Sequence, residues 1–173
     1  MYQEEIKIPK DRVPILIGKK GTVKKGLQFA LKIRLEINDD GIILIKSTDS
    51  LNIYIAKQVL KAIGRGFNPD IAIQLQDEIN SLEVLNIDDY SKKNKNRQFS
   101  IKSRLIGTNG KSRRIIERLT NTHIQIYGKT ASIIGEVSNV NLARQALDRL
   151  MQGAKHGNVY AFIEKKKQSF NKS

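Results

Sequence analysis

Leu105-Ile106-Gly107-Thr108-Asn109-Gly110-Lys111 decides the reading of this chain, because Leu16-Ile17-Gly18-Lys19-Lys20-Gly21-Thr22 stands 89 positions earlier in the same arrangement. Each copy is an apolar run ending in glycine, two polar residues, a second glycine and the start of a helical pattern. Glycine reaches positive φ and carries no Cβ, so a turn bracketed by two of them lets the backbone come close to another molecule. The helix that follows offers unpaired N–H groups and the positive end of its dipole, which suits a phosphate. A turn spelled twice in register points to a tandem repeat.

The surrounding pattern is also repeated. Residues 2–8 alternate imperfectly and end at Pro9, a short first strand. Val13, Leu16 and Ile17 predict a short helix over 10–17, with Pro14 in its first turn. After the glycines, Thr22 is the expected N-cap, Val23, Leu27, Ala30 and Leu31 make an apolar stripe, and Lys24 and Lys25 face away from it. Ile33, Leu35 and Ile37 alternate with Arg34 and Glu36. Asp39-Asp40-Gly41 then predicts a hairpin turn, and residues 42–45 a buried strand. Leu51, Ile55, Val59 and Ile63 recur every four residues in a helix that stops near Gly64-Arg65-Gly66. The order is strand, helix, glycine loop, helix, strand, strand, helix.

In the second copy residues 82–87 are the first strand and 90–96 a polar, lysine-rich insertion. Residues 99–106 form the helix before the loop, and Ile115, Ile116 and Leu119 the helix after it. Ile124 and Ile126 correspond to Leu35 and Ile37, Gly128-Lys129 replaces the Asp-Gly turn, and Ile133-Ile134 matches Leu44-Ile45. Ala143-Arg144-Gln145-Ala146-Leu147 parallels Ala56-Lys57-Gln58-Val59-Leu60 at a spacing of 87, a slip that a loop absorbs. Between the copies, Asn68-Pro69 opens a helix carrying Ile71, Leu75, Ile79 and Leu82 on one face. This acidic connector is expected to dock on one or both repeats and hold them as a rigid pair. After residue 155, Val159, Phe162 and Ile163 predict a last helix that docks, followed by a fraying end with Lys165-Lys166-Lys167. The expected boundaries are 1–68, a connector over 69–81, 82–155, and a C-terminal helix and basic tail over 156–173.

Charge selects the partner. With 31 Lys and Arg against 17 Asp and Glu the chain carries +14, so polyanions are its natural ligands. Residues 7–34 hold nine basic residues and one acid, and residues 92–118 hold ten and one, whereas residues 68–90 hold six acids and no base. Each basic block surrounds one glycine turn. Nucleic acid is favoured over a membrane, because a membrane-surface protein concentrates its charge on one amphipathic helix with Trp or Phe. No window approaches a membrane span and Cys is absent, which predicts a soluble, cytoplasmic protein without disulfides or thiolate zinc.

Catalysis finds little support. Gly107-Thr108-Asn109-Gly110-Lys111-Ser112 resembles the end of a phosphate-binding NTPase loop, but that loop needs glycine where Leu105 stands. His123 and His156 are far apart and neither has a carboxylate or second histidine at ligand spacing. Asp39 and Asp40 read as turn chemistry rather than a metal or acid-base pair. No enzyme activity, metal or cofactor is expected. Aromatic residues are 6% of the chain with no Trp, too few for a stacking platform of the RRM or OB type.

A Gly-x-x-Gly loop between two helices resembles that of KH domains, which clamps the backbone of about four nucleotides. The element order is that of type I KH units. The fold class is therefore α+β, two type I KH domains in tandem, each a three-stranded sheet packed on helices. Ile6-Lys7-Ile8-Pro9-Lys10-Asp11-Arg12-Val13, Ala62-Ile63-Gly64-Arg65-Gly66-Phe67, Arg113-Arg114-Ile115-Ile116-Glu117, Tyr127-Gly128-Lys129-Thr130 and His156-Gly157-Asn158-Val159-Tyr160 extend the likeness. Together they resemble the archaeal counterpart of the eukaryotic partner-of-Nob (Dim-two) ribosome-assembly proteins.

The resemblance implies a non-catalytic factor that binds single-stranded RNA near the 3′ end of small-subunit ribosomal RNA. It also implies as partners the Nob endonuclease, the rRNA dimethyltransferase and an initiation factor subunit. The RNA contacts would be Gly18, Lys19, Lys20, Gly21 and Lys24 in the first unit. In the second they would be Gly107, Thr108, Asn109, Gly110, Lys111, Arg113 and Arg114. By the same resemblance bases would lie in aliphatic clefts bordered by Ile17, Val23, Leu27 and Ile37, and by Ile106, Ile116 and Ile126. The second loop departs from the family in having no lysine between its glycines, so its charge would come from Lys111, Arg113 and Arg114. The second unit is nonetheless expected to dominate. Replacing Gly18 or Gly107 by Asp should abolish binding at that unit while its fold survives. A second reading stays open: a protein adaptor, docking through the connector around Ile71 and Leu75, with RNA secondary.

Overall fold

The repeat takes the form of two three-stranded sheets in the computed structural model, which describes residues 1–172; Ser173, the end of the expected tail, lies outside the described residues. The chain divides into units Met1–Asn80 and Ser81–Ser173.

In the first unit β1 (Tyr2–Lys7) leads through a 3-10 turn at Lys10–Arg12 into α1 (Val13–Ile17), which is shorter than the sequence predicts. The glycine turn follows, then α2 (Thr22–Leu31), β2 (Arg34–Ile37), β3 (Ile42–Ser47) and α3 (Ser50–Gly64). The sheet order is β1-β3-β2, both pairs antiparallel, with Lys7 opposite Ile42 and Ile37 opposite Ile43. Leu35, Ile43 and Ile45 are buried while Arg34 and Glu36 are exposed, the alternation that sets the register. In the hairpin turn Asn38 Oδ1 accepts from the N–H groups of Asp40 and Ile42, both at 3.0 Å, an Asx turn that holds the Asp-Asp-Gly corner without either aspartate's carboxylate. Asp49 caps α3 by accepting from Leu51 N–H at 2.9 Å.

Arg12 closes the other end of α3. Its Nε donates to Ile63 O at 2.8 Å and its Nη2 to Phe67 O at 2.9 Å, so one guanidinium ties the turn before α1 to the last turn of α3 and to the segment just beyond it.

The connector differs from expectation. Asn68 accepts from Asp70 N–H at 3.0 Å and Pro69 opens a helix as the cap-and-proline pattern predicts, but α4 is only Pro69–Ala72, continued by a 3-10 turn at Ile73–Gln76. Asp77 ends it: its carboxylate accepts from Ile79 N–H at 3.1 Å, a local bond that competes with the helical ladder. Ala72 and Leu75 are buried and the segment packs on α3 of its own unit, while Ile79 is 56% exposed and Leu82 already lies in the next strand. Of the docking face expected around Ile71 and Leu75, Leu75 is covered and Ile71 is half-buried.

β4 (Asn80–Asn86) carries the chain into the second unit and is followed by a one-turn α5 (Asp88–Ser91). The lysine-rich insertion becomes a corner in which Lys92 and Lys93 both take positive φ. Asn94 then caps α6 (Lys95–Ile106) by accepting from Arg97 N–H at 3.1 Å, which makes this helix longer than the expected 99–106. After the second glycine turn come α7 (Lys111–Thr120), β5 (His123–Tyr127), β6 (Thr130–Glu136) and α8 (Val137–Met151). The sheet order is β4-β6-β5. Tyr90 donates its hydroxyl to Asp148 Oδ1 at 2.5 Å, which fastens the insertion to α8; burial and the Asp148 carboxylate push the phenol up to about 12.

α9 (His156–Asn171) packs on α7 and α8 with Val159 and Ile163 buried, each contributing about 1.5–3 kcal/mol of apolar burial. Arg149 stands 3.7 Å over the Phe162 ring. The helix runs through the lysine triplet to Asn171 instead of fraying before it. Arg104 repeats the device of Arg12: Nη1 donates to Leu150 O at 2.6 Å and Nη2 to Ala154 O, binding α6 to the end of α8.

Candidate nucleic-acid interface

The two glycine turns have one backbone conformation. Gly18 and Gly107 share φ 74°, with ψ 177° and 175°; Lys20 and Asn109 lie at φ 55° and 54°; Gly21 and Gly110 share φ 75°. Each turn closes with the second glycine N–H donating to the first glycine carbonyl at 3.2 Å. The first glycine is obligatory for space as well as φ. A Cβ at Gly18 would lie 2.3 Å from Val23 Cγ2, and one at Gly107 would lie 2.7 Å from Ser112 N, so loop and helix touch there. The residue after each following helix agrees too: Lys32 and Asn121 are both left-handed, at φ 55° and 52°.

Lys19, Lys20, Thr108 and Asn109 project as exposed tips, and no side chain caps the first turn of α2 or α7. Thr22 is not the N-cap the sequence predicts. Gly21 holds that position, and the Thr22 hydroxyl donates to Lys19 O at 2.8 Å. Lys19, Lys20, Lys24, Lys111 and Arg114 form no ion pair within the described residues. Arg114 Nη1 comes 3.3 Å from where a Gly110 Cβ would sit, so its guanidinium lies over the loop. Cations without a carboxylate beside an uncapped helix start are the chemistry that suits a phosphate.

Arg113 has a different role from the one its position suggests. Its Nη1 donates to Glu117 Oε1 at 3.0 Å and Ile124 O at 3.3 Å, and Glu117 Oε2 accepts from Ile124 N–H at 2.8 Å. This fork pins α7 to β5, because residues four apart meet on a helix face. Ile116 is fully buried and Leu27 is 5% exposed, so both belong largely to the core, whereas Ile17, Val23 and Ile37 in one unit and Ile106 and Ile126 in the other are half-buried.

Sequence reasoning missed what lies on the far side of the second loop. Arg104, Gly107, Thr108, Lys111, Ser112, His156 and Tyr160 line a groove of about 420 Å³. His156 reaches it because its Nε2 donates to Arg104 O at 2.8 Å, which fastens the start of α9 to α6. Only the His156-Gly157-Asn158-Val159-Tyr160 likeness in the tail carried any signal of this.

A three-stranded sheet, a glycine turn between two helices and a third helix laid on the central strand are the architecture of a type I KH unit, a single-stranded nucleic-acid reader. A family model for the second KH domain of PNO1 proteins, described as the eukaryotic-type (type I) KH domain, matches residues 81–168. A KH domain-containing protein of Methanocaldococcus jannaschii is 44% identical over 174 residues, covering 98% of this chain and 76% of that one. The solved a/eIF2alpha-aDim2p-rRNA complex from Pyrococcus horikoshii contains a chain 36% identical, with a TM-score of 0.90 over 97% of this chain and 95% of that one. The pre-rRNA-processing protein PNO1 of Coccidioides immitis is 28% identical over 135 residues, and this chain spans about half of its length, 52%. The chain belongs to the Dim2p/PNO1 family of KH-domain proteins.

Proposed function

We propose that this protein is an RNA-binding ribosome-biogenesis factor without catalytic activity of its own, built of two KH domains in tandem. Its glycine loops hold single-stranded RNA near the 3′ end of small-subunit ribosomal RNA. One observation carries this reading: both turns take the same glycine-dependent conformation, and the cations around them, Lys19, Lys20, Lys24, Lys111 and Arg114, are left without carboxylates. The backbone of the strand would lie on the loops and first turns of α2 and α7, with bases entering the half-buried aliphatic borders. Relatives named for pre-rRNA processing, and one solved together with rRNA, support the RNA class.

Crosslinking the full chain to total cellular RNA and sequencing what is attached tests it. Enrichment of the 3′ region of small-subunit RNA is the expected result; a flat distribution over all RNA contradicts it.

A protein-partner role accompanies this one. The Pyrococcus relative was solved with a/eIF2alpha as well as rRNA, which supports an initiation factor subunit as partner; the Nob endonuclease and the rRNA dimethyltransferase belong to the same proposal. Pull-down after RNA digestion, with and without loop substitutions, separates direct protein contact from contact bridged by RNA.

A further inference from the structure

The two glycine loops share a backbone but not their surroundings, and the difference is concentrated on one side. In the first unit the flank of α2 is apolar: Val23, Leu27, Ala30 and Ile73 line a groove of about 320 Å³ together with Asp70, whose charge repels phosphate. In the second unit Ser112 stands where the repeat has Val23, Lys111 where it has Thr22, and α9 supplies a wall that brings His156 and Tyr160 beside the loop.

The chemistry of this second groove is that of a ligand site. Ser112 is 2% exposed and is one of the residues that line the groove, and its hydroxyl has no hydrogen-bond partner within the described residues. Buried hydroxyls are normally satisfied; Ser91 and Ser132 are unpaired as well, but Ser112 alone of the three borders this groove, where a bound polar group can supply the missing partner. Above it are the uncapped N-terminus of α7 and the unpaired ammonium of Lys111, which together favour an anion. The opposite wall is aromatic: His156 and Tyr160 are one turn apart on α9, with ring centroids 6.2 Å apart and planes tilted by 53°. His156 is held in place through Arg104 O, so the wall is fixed before any ligand arrives.

We propose that this groove is a subsite for one RNA nucleotide adjoining those threaded by the second loop. Its phosphate sits at Lys111 and the start of α7, a polar group meets Ser112, and its base stacks on Tyr160. The subsite lies outside the cleft bordered by Ile106 and Ile126, since no residue of β5 lines it. It rests on the RNA reading above and adds to it a physical reason for the second unit to hold one nucleotide more than the first.

The test uses the full chain, a short randomised single-stranded RNA and the four nucleoside 5′-monophosphates. Tyr160→Ala should weaken RNA binding at least about fivefold, and Tyr160→Phe, which keeps the stacking face, by less than about twofold. Ser112→Val, which installs the residue of the first repeat, should weaken it by about threefold or more. Each monophosphate that binds should shift the His156 and Tyr160 resonances. Because Tyr160→Ala also touches the packing of α9, thermal melts accompany it; if that variant melts early, Ser112→Val and the monophosphate shifts decide. Parent-like RNA affinity in Ser112→Val, with no shift at Tyr160, overturns the subsite. The RNA reading itself fails if a folded chain carrying Lys19→Asp, Lys20→Asp, Thr108→Asp and Asn109→Asp together also binds as the parent does.

Discussion

Gly18 and Gly107, 89 positions apart, hold the same backbone conformation, φ 74° with ψ 177° and 175°. That region is essentially closed to other residues, and a Cβ would meet Val23 in one case and the Ser112 backbone nitrogen in the other. The expectation that Asp at either position would leave the fold intact is therefore not supported. Gly107→Asp should lower the stability of the second unit by about 2–5 kcal/mol, combining backbone strain with overlap. Urea unfolding followed by resonances of β5 and β6 measures it, and an unchanged midpoint would show that the turn can rearrange.

Arg12 and Arg104 perform one structural task from positions that the repeat does not align. Arg12→Met should destabilise the first unit by about 2–4 kcal/mol, because two charge-assisted bonds to Ile63 O and Phe67 O are lost at the end of α3. Arg12→Lys should recover less than half, since an ammonium cannot span both carbonyls. Chemical denaturation of the two variants, compared with Arg104→Met and Arg104→Lys in the second unit, checks the parallel.

Tyr90 makes alkaline stability specific. Its phenol is pushed up to about 12 in the folded state, against an ordinary value of about 10. A raised folded pKa means that the unfolded chain ionises first, so the contribution is whole below about pH 10 and is lost as pH rises toward 12. The melting temperature of the second unit should fall across that window, and Tyr90→Phe should flatten the fall. An equal fall in both proteins would assign it to other groups.

Salt should weaken RNA binding steeply. If Lys19, Lys20, Lys24, Lys111 and Arg114 each neutralise one phosphate, the log-log slope should be roughly −3.5, and Lys19→Ala/Lys20→Ala should make it shallower by roughly 1.4. A slope near zero, read by fluorescence anisotropy over a salt series, would remove the phosphate contacts from the mechanism.

The loops were legible in the sequence because glycine is almost a direct record of backbone conformation: two at fixed spacing force the turn whatever packs around it. The strands were legible for a similar reason, as at Leu35 between exposed Arg34 and Glu36. The connector was not. Leu75 and Ile79 are four apart, a spacing that suits one face of a helix and, being even, one face of a strand, and the Asx bond of Asp77 that decides between them leaves no periodic trace. Arg12, Arg104 and Arg113 all read as positive charge from sequence, yet their guanidiniums hold main-chain carbonyls, and that depends on where α1, α3, α6, α8 and β5 end. The groove beside Ser112 was hidden because it needs α9 folded back on α7, a contact between residues more than forty positions apart in the chain.

The most direct measurement is the affinity of single-stranded RNA from the 3′ region of small-subunit ribosomal RNA for a chain carrying Lys19→Asp, Lys20→Asp, Thr108→Asp and Asn109→Asp together. These four positions are exposed, and Asp is tolerated in the left-handed conformation of positions 20 and 109, so the melting curve should stay close to that of the parent. If the glycine loops hold the RNA backbone, binding is lost at physiological salt while both units remain folded. Parent-like affinity in that folded variant would contradict it.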